Sequence, residues 1–286
     1  MKKQLIFLLT IPLICTTLLI VLWQMDSAPA ITYFPEDEQT GFAETSTMLE
    51  MVSEKTRDSY EMIWSSKSVS DRELYLRQDA SILFNNGQLL GVQSKWKENT
   101  DAIQLKETFN GEDSNYFQSI SFHHGEVHYP DDEIKSIHDM TYDQLYVIDS
   151  PSTDLESFRT PETDYEHEWS HLLDHTTQQQ LLYKWKQLMT HFNIDQEAYH
   201  TVPLTDLYKF NTKPLPSLTQ AQTNQIMGQL WEGIYKNYVL NVKNANNTVK
   251  SYIPLLLFDK QNDHLLVLFE WNGQKERLIQ QYPDHF

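Results

Sequence analysis

The first pattern along the chain is an unbroken apolar run, Gln4 to Trp23, behind a short basic start, Met1-Lys2-Lys3. Its twenty residues make a helix about 30 Å long, roughly the hydrocarbon thickness of a bilayer. Residues 1–23 are therefore predicted to be a cytoplasmic stub and transmembrane anchor, with the lysines inside and the rest of the chain outside. Two processing alternatives stay open. Ala28-Pro29-Ala30 resembles a signal-peptidase site, and Cys15 after Leu13-Ile14 is similar to a lipobox. Residues 24–41, acidic and carrying Pro29 and Pro35, read as a juxtamembrane tether.

The period then changes. Leu49, Val52, Thr56, Tyr60 and Ile63 recur at helical spacing, so 42–64 is predicted to be an amphipathic helix. Between Leu74 and Asp149 the apolar positions alternate. Asn86-Gly87 is a strong turn signal joining Ile82–Phe84 to Leu89–Val92. Ile103, Leu105 and Phe109 continue the alternation, His124-Gly125 is expected to turn a hairpin between Ile120-Phe122 and Val127-Tyr129, and Leu145–Ile148 is a last short strand. Residues 42–150 are thus expected to be a helix plus an antiparallel meander, with one sheet face on the helix.

Residues 151–286 read as helices followed by C-terminal β-hairpins. After a linker from Pro151 to Pro161, Thr160-Pro161-Glu162 is a helix start. That helix is expected to reach at least His175. Thr177-Gln178-Gln179-Gln180 matches a capping box that would open a second helix, running to about Phe192. A proline-containing loop leads to Thr219, which opens a further helix with the ladder Ile226, Leu230, Ile234 and Tyr238. Tyr252–Phe258, Leu265–Trp271 and Arg277–Tyr282 are strands, the last two joined at Asn272-Gly273. The fold class expected is α+β: an N-terminal transmembrane helix, then an extracytoplasmic domain of antiparallel meanders packed with amphipathic helices. The parts 42–150 and 151–286 can form one continuous domain.

Charge narrows the function. The chain has 22 basic and 40 acidic residues, a formal charge of −18. It has no basic patch with interleaved aromatics, so a nucleic-acid partner is excluded. The 8 glycines are too scattered for a phosphate-cradling loop, and there is no G-x-S-x-G nucleophile elbow. Cys15, the single cysteine, lies inside the apolar run, so disulfides, thiol chemistry and cysteine zinc sites are excluded from the exported part.

One motif carries possible chemistry. His167-Glu168-Trp169-Ser170-His171 is H-E-x-x-H, which on a helix points two imidazoles at one zinc ion and leaves the glutamate to activate a water. Over these five residues the chain resembles the zincin metallopeptidases, which implies His167 and His171 as metal ligands, Glu168 as general base and zinc as cofactor. Leu172 and Leu173 fit the family's apolar flank; Asp164 departs from it. The third ligand is missing from its usual place. Residue 191, twenty positions after His171, is a histidine, with Glu197 beyond it. In one straight helix His191 would stand about 30 Å from His171, so only a break near Thr176-Thr177 would keep a site. The competing reading is a solvated face: Tyr165, Trp169, Leu172 and Leu173 gather on the core side, and His167, His171 and His175 lie opposite.

Other patterns are thinner. Ser94-Lys95-Trp96-Lys97 matches S-x-x-K but sits in an expected strand, where Lys97 cannot turn back to Ser94. Asp131-Asp132-Glu133 and Glu112-Asp113 are acidic turns without an EF-hand's ligand order. His123-His124 has no partner visible in the sequence. The leading expectation is a membrane-anchored, non-catalytic binding or regulatory ectodomain of the cell envelope, without cofactor and with no committed catalytic or metal residue. Its expected partner is another envelope protein or a cationic surface ligand. The alternative is a membrane-anchored zinc metallopeptidase using 167–171.

Overall fold

A computed structural model of the chain describes residues 31–56, 59–151, 153–245 and 249–282. The predicted anchor, Cys15 and Ala28-Pro29-Ala30 lie outside the described residues. Among the described residues no helix is long and apolar enough to cross a membrane. From Ile31 on, the stretch expected to be a tether lies against the fold. Ile31 is buried in the main core, Glu36 bridges Ser136 in parallel, and the Tyr33 N–H donates to Glu232.

The first sheet has six strands: β1 (Phe42–Thr56), β2 (Ser59–Asn85), β3 (Gln88–Gly111), β4 (Asn115–His128), β5 (Ile134–Ile148) and β6 (Glu156–Phe158). All their pairings are antiparallel. The helix expected over 42–64 is therefore corrected to β1 and the start of β2. The residues that seemed to share a helical face do not share a burial state: Leu49 and Tyr60 are buried, whereas Val52 is 48% exposed, and the buried positions are instead Tyr60, Met62 and Trp64. Buried positions two apart along paired neighbours are the strand period, and pairing with β2 and β3 satisfies the backbone that a helix would have satisfied internally.

β2 organises the sheet because it changes neighbours along its length. Its first half pairs with β1, its second half with β4, and β3 follows it throughout. The change comes where the β2–β3 register shifts between Val69 and Leu74. β1 and the first half of β2 fold back over β4 and β5 there. Thr45 donates to Asp139 and Thr47 to Ser121 across the gap. The hairpin expected at His124-Gly125 is corrected too: β4 runs straight through it. A Cβ on Gly125 would lie 2.5 Å from Leu74 Cδ1, so this glycine serves close packing within a strand. The Asn86-Gly87 turn forms as expected, both residues holding positive φ.

After β6 come α1 (Asp164–His191), β7 (Tyr199–Pro203) and α2 (Gln220–Ile234). A π turn (Tyr235–Val239) carries α2 into α3 (Leu240–Asn244), followed by β8 (Leu255–Asp259), β9 (His264–Trp271) and β10 (Gln274–Gln281). α1 starts at a capping box between Thr163 and Glu166, not at Thr160. It is unbroken through Thr176-Thr177, so the second helix expected at Thr177 is its continuation. Thr219 caps α2 with Gln222, and Ile226, Leu230, Ile234 and Tyr238 are all buried. The last strands form a second antiparallel sheet, ordered β10-β9-β8-β7.

One core joins the parts on either side of residue 150. Ala80, Ile82 and Ile120 of the first sheet pack with Trp185 of α1, Trp231 of α2 and Leu256 of β8. The result is α+β, mostly antiparallel sheet with a few helices.

Candidate functional site

The H-E-x-x-H residues sit in the first half of α1. That half packs through Tyr165, Trp169 and Leu173 onto Tyr146 and Phe158. His167, Glu168, His171 and His175 are exposed on the other side, with the His171 and His175 rings stacked at 6.1 Å. Leu172 departs from the expected core stripe and is 53% exposed, because the stripe continues through Ser170, Thr177 and Leu181. His191 ends the same helix, about 30 Å along its axis from His171. No group of three or more metal-ligating side chains gathers among the described residues.

A second set of chemical groups, unseen in the sequence as a set, lies inside the folded-back sheet. β-Pairing places Asp79 opposite His123, and Ser121 opposite Thr141. His123 Nδ1 is 2.8 Å from Asp79 Oδ2, and its Nε2 is 2.8 Å from Thr141 Oγ1. The bonds continue from Thr141 to Thr47 at 2.5 Å, to Ser121 at 2.6 Å and to Ser81 at 2.7 Å. Trp64 Nε1 donates to Ser119 at 2.8 Å. On the other side of Asp79, Ser68 donates to the carboxylate at 2.6 Å and Arg77 donates to Ser68. Arg77 also donates to Ser70 and to the Asp101 carbonyl, each at 2.8 Å. Burial pulls the Arg77 pKa down, and Asp79 and Asp101 partly offset it.

Carboxylate, imidazole and hydroxyl in this order have the layout of an acid–base relay, but its carboxylate and imidazole are shut away from solvent, and only the Thr141 and Thr47 hydroxyls at its far end are partly exposed. Asp79 and His123 are fully buried. An apolar plug closes each end: Leu74, Val127 and Ile137 on one side, Leu83, Phe117 and Leu145 on the other. The network joins the folded-back strands to the rest of the sheet.

An open concavity lies elsewhere. β3 bends with β2, and its two limbs border a groove of about 890 Å³. Val92, Ala102, Ile103 and Leu105 supply its apolar lining; Lys67, Lys95, Lys97, Lys106 and Lys243 supply the charge, with Glu107 as the carboxylate. Lys67 is paired with Glu44 at 2.6 Å. Lys95 Nζ reaches from one limb to the Gln104 carbonyl on the other, at 3.3 Å. Lys243, from α3, donates to the Ser94 carbonyl at 3.1 Å and to its hydroxyl at 3.3 Å. Ser94 thus meets a lysine, though Lys243 rather than the Lys97 of its S-x-x-K pattern. Sequence reading missed the groove because Lys67, Lys95, Lys106 and Lys243 are scattered over 177 positions; only the paired bend of β2 and β3 and the placement of α3 collect them.

No family model matches the chain, and no curated protein matches it. A solution structure of a protein from Arabidopsis thaliana is 10% identical with a TM-score of 0.24, covering 49% of this chain and 95% of that one. A crystal structure of a protein from Archaeoglobus fulgidus is 8% identical with a TM-score of 0.20, covering 43% of this chain and all of that one. At such scores neither likeness bears on fold or function.

Proposed function

We propose that this chain is a non-catalytic binding ectodomain of the cell envelope, held in the membrane by the apolar run of residues 4–23 with its folded part outside. The observation that supports the reading is the separation of reactive chemistry from access. The Asp79–His123 pair is fully buried, whereas in the open groove lysines act as hydrogen-bond donors beside an apolar lining. A surface of this kind recognises a partner by charge and shape. The partner expected from the overall acidity was cationic; the local charge of the groove favours an anionic one.

The test is made on the full-length chain, purified untagged in a neutral detergent. Elemental analysis should find clearly substoichiometric zinc, and a chelator should leave the melting temperature unchanged, because two exposed histidines make at best a weak site. Glu168→Gln should complement a deletion strain fully. One equivalent of zinc together with failure of Glu168→Gln to complement would replace this reading with the metallopeptidase. A reporter fused after Phe286 should be active only on the outer side of the membrane; activity in the cytoplasm would remove the envelope assignment.

A further inference from the structure

We infer that the β3 groove receives an extended acidic segment of a partner protein, which adds as a strand to the β3 edge. The inference rests on the binding-module reading and names its ligand. Three observations carry it.

The first is charge. On a chain of net charge −18, Lys95, Lys97, Lys106 and Lys243 converge on one concavity against the single carboxylate Glu107, Lys67 being already paired with Glu44. On a molecule of net negative charge, such a cluster of ammonium groups steers an acidic ligand to this place.

The second is the strand edge. Among the described residues β3 pairs with no strand other than β2; its first residue is bridged to Tyr252, and no strand covers its outer side from Gln93 to Phe109. In an antiparallel strand a residue's N–H and C=O point to the same side. The Ser94 and Gln104 carbonyls accept from lysine side chains, so these two residues, one on each limb, turn their backbone groups outward. Those groups are the template that an added strand requires. Lysines on an edge also keep it from pairing with apolar or basic strands. A carboxylate-bearing strand removes that obstacle by drawing the ammonium groups to itself.

The third is the lining. Val92, Ala102, Ile103 and Leu105 border the same groove as the lysines, and alternation sets Lys95 and Lys97, opposite Asp79 and Arg77, on one face of β3 and Val92, opposite Ile82, on the other. A strand that alternates acidic and apolar side chains would set one series on the ammonium groups and the other on the apolar lining. A phosphate or sugar anion would use neither the lining nor the edge, and a bilayer surface cannot enter a bent groove.

The probe is a fluorescent ten-residue peptide alternating Glu and Val, titrated onto the full-length chain in neutral detergent at low salt. Saturable binding is expected, and the triple variant Lys95→Glu/Lys97→Glu/Lys106→Glu should weaken it by roughly tenfold or more. Lys186→Glu, on the exposed side of α1, is the charge control and should leave it unchanged. Gln104→Pro tests strand addition separately from charge: it removes one outward N–H, which an edge strand tolerates, and should also weaken binding. Circular dichroism checks that each variant is folded. The inference is overturned if the peptide fails to bind, if the triple variant or Gln104→Pro binds it normally, or if a Lys-Val peptide binds equally well. It is also overturned if inorganic phosphate or phosphatidylglycerol vesicles compete as well as the peptide does, or if the groove variants instead dissolve a dimer of this chain. Each of these failures leaves the zinc and complementation results standing, so the loss of this ligand and the loss of the binding-module reading are told apart.

Discussion

The second half of β2 presents two opposite interiors on alternate residues. Arg77, Asp79 and Ser81 face the folded-back strands and are held by hydrogen bonds. Ala80, Ile82 and Phe84 face the helices and the second sheet and are held by packing with Trp231, Leu230 and Leu256. All six are buried. The apolar side loses stability in proportion to the surface and volume removed. The polar side is conditional: each group is tolerable only while its partners remain, since an unpartnered buried charge costs several kcal/mol.

The comparison is sharpest at Asp79. Asp79→Ala should destabilise the fold by about 3–5 kcal/mol, because it strands both Arg77 and His123. The triple variant Arg77→Met/Asp79→Leu/His123→Leu should cost less than that single change, because nothing charged is left buried. Denaturant unfolding of both variants decides the point; a triple variant worse than Asp79→Ala would show that the network contributes net stability. On the opposite face, Ile82→Ala should cost about 3 kcal/mol through lost burial and a residual cavity, with the same loss at pH 5 and pH 8.

Two smaller effects come from the same sheet. Gly125→Ala should cost about 1–3 kcal/mol, since the new methyl would stand 2.5 Å from Leu74 Cδ1 and 3.1 Å from Arg77 Cδ. A shift in melting temperature reads this, and an unchanged value would mean that the Leu74 plug is loose. The smallest effect at neutral pH belongs to His124, whose buried imidazole is pushed down to about 3, first by burial and then by His138 and Arg77. Its folded pKa lies below its unfolded value of about 6.5. The stability is therefore fully present above pH 6.5 and is lost as acid protonates the unfolded chain, by about tenfold in the folding equilibrium per pH unit down to pH 3. His124→Leu should flatten that part of the pH profile; a profile that keeps its slope would assign the acid sensitivity to other groups.

These elements also mark how far the sequence can be read. Capping chemistry and turn chemistry are local, so Thr219 with Gln222, Asn86-Gly87 and Asn272-Gly273 are legible from a few residues. The ladder of α2 is legible because every fourth residue faces one core. Over 42–64 the local pattern misleads, because Leu49, Val52, Tyr60 and Ile63 mimic a helical spacing; β1 and β2 exist through pairing with each other and with β3, which no local window contains. α1 shows the opposite limit. Its histidine pattern was visible, but whether two imidazoles meet a third ligand depended on the helix being unbroken at Thr177.

The sequence by itself determined the acidic charge, the absence of cysteine chemistry beyond Cys15, and the capped helices and tight turns, because each of these is carried by composition or by residues within a few positions. Only the tertiary structure decided which groups share a space. Asp79 meets His123 across 44 residues, and Lys243 meets Ser94 across 149. Such meetings are set by strand register and by the bend in β2 and β3. A one-residue slip in register would turn Asp79 to the apolar face and Ile82 to the polar one. The balance that prevents the slip is the burial of both faces at once, which is a property of the assembled sheet.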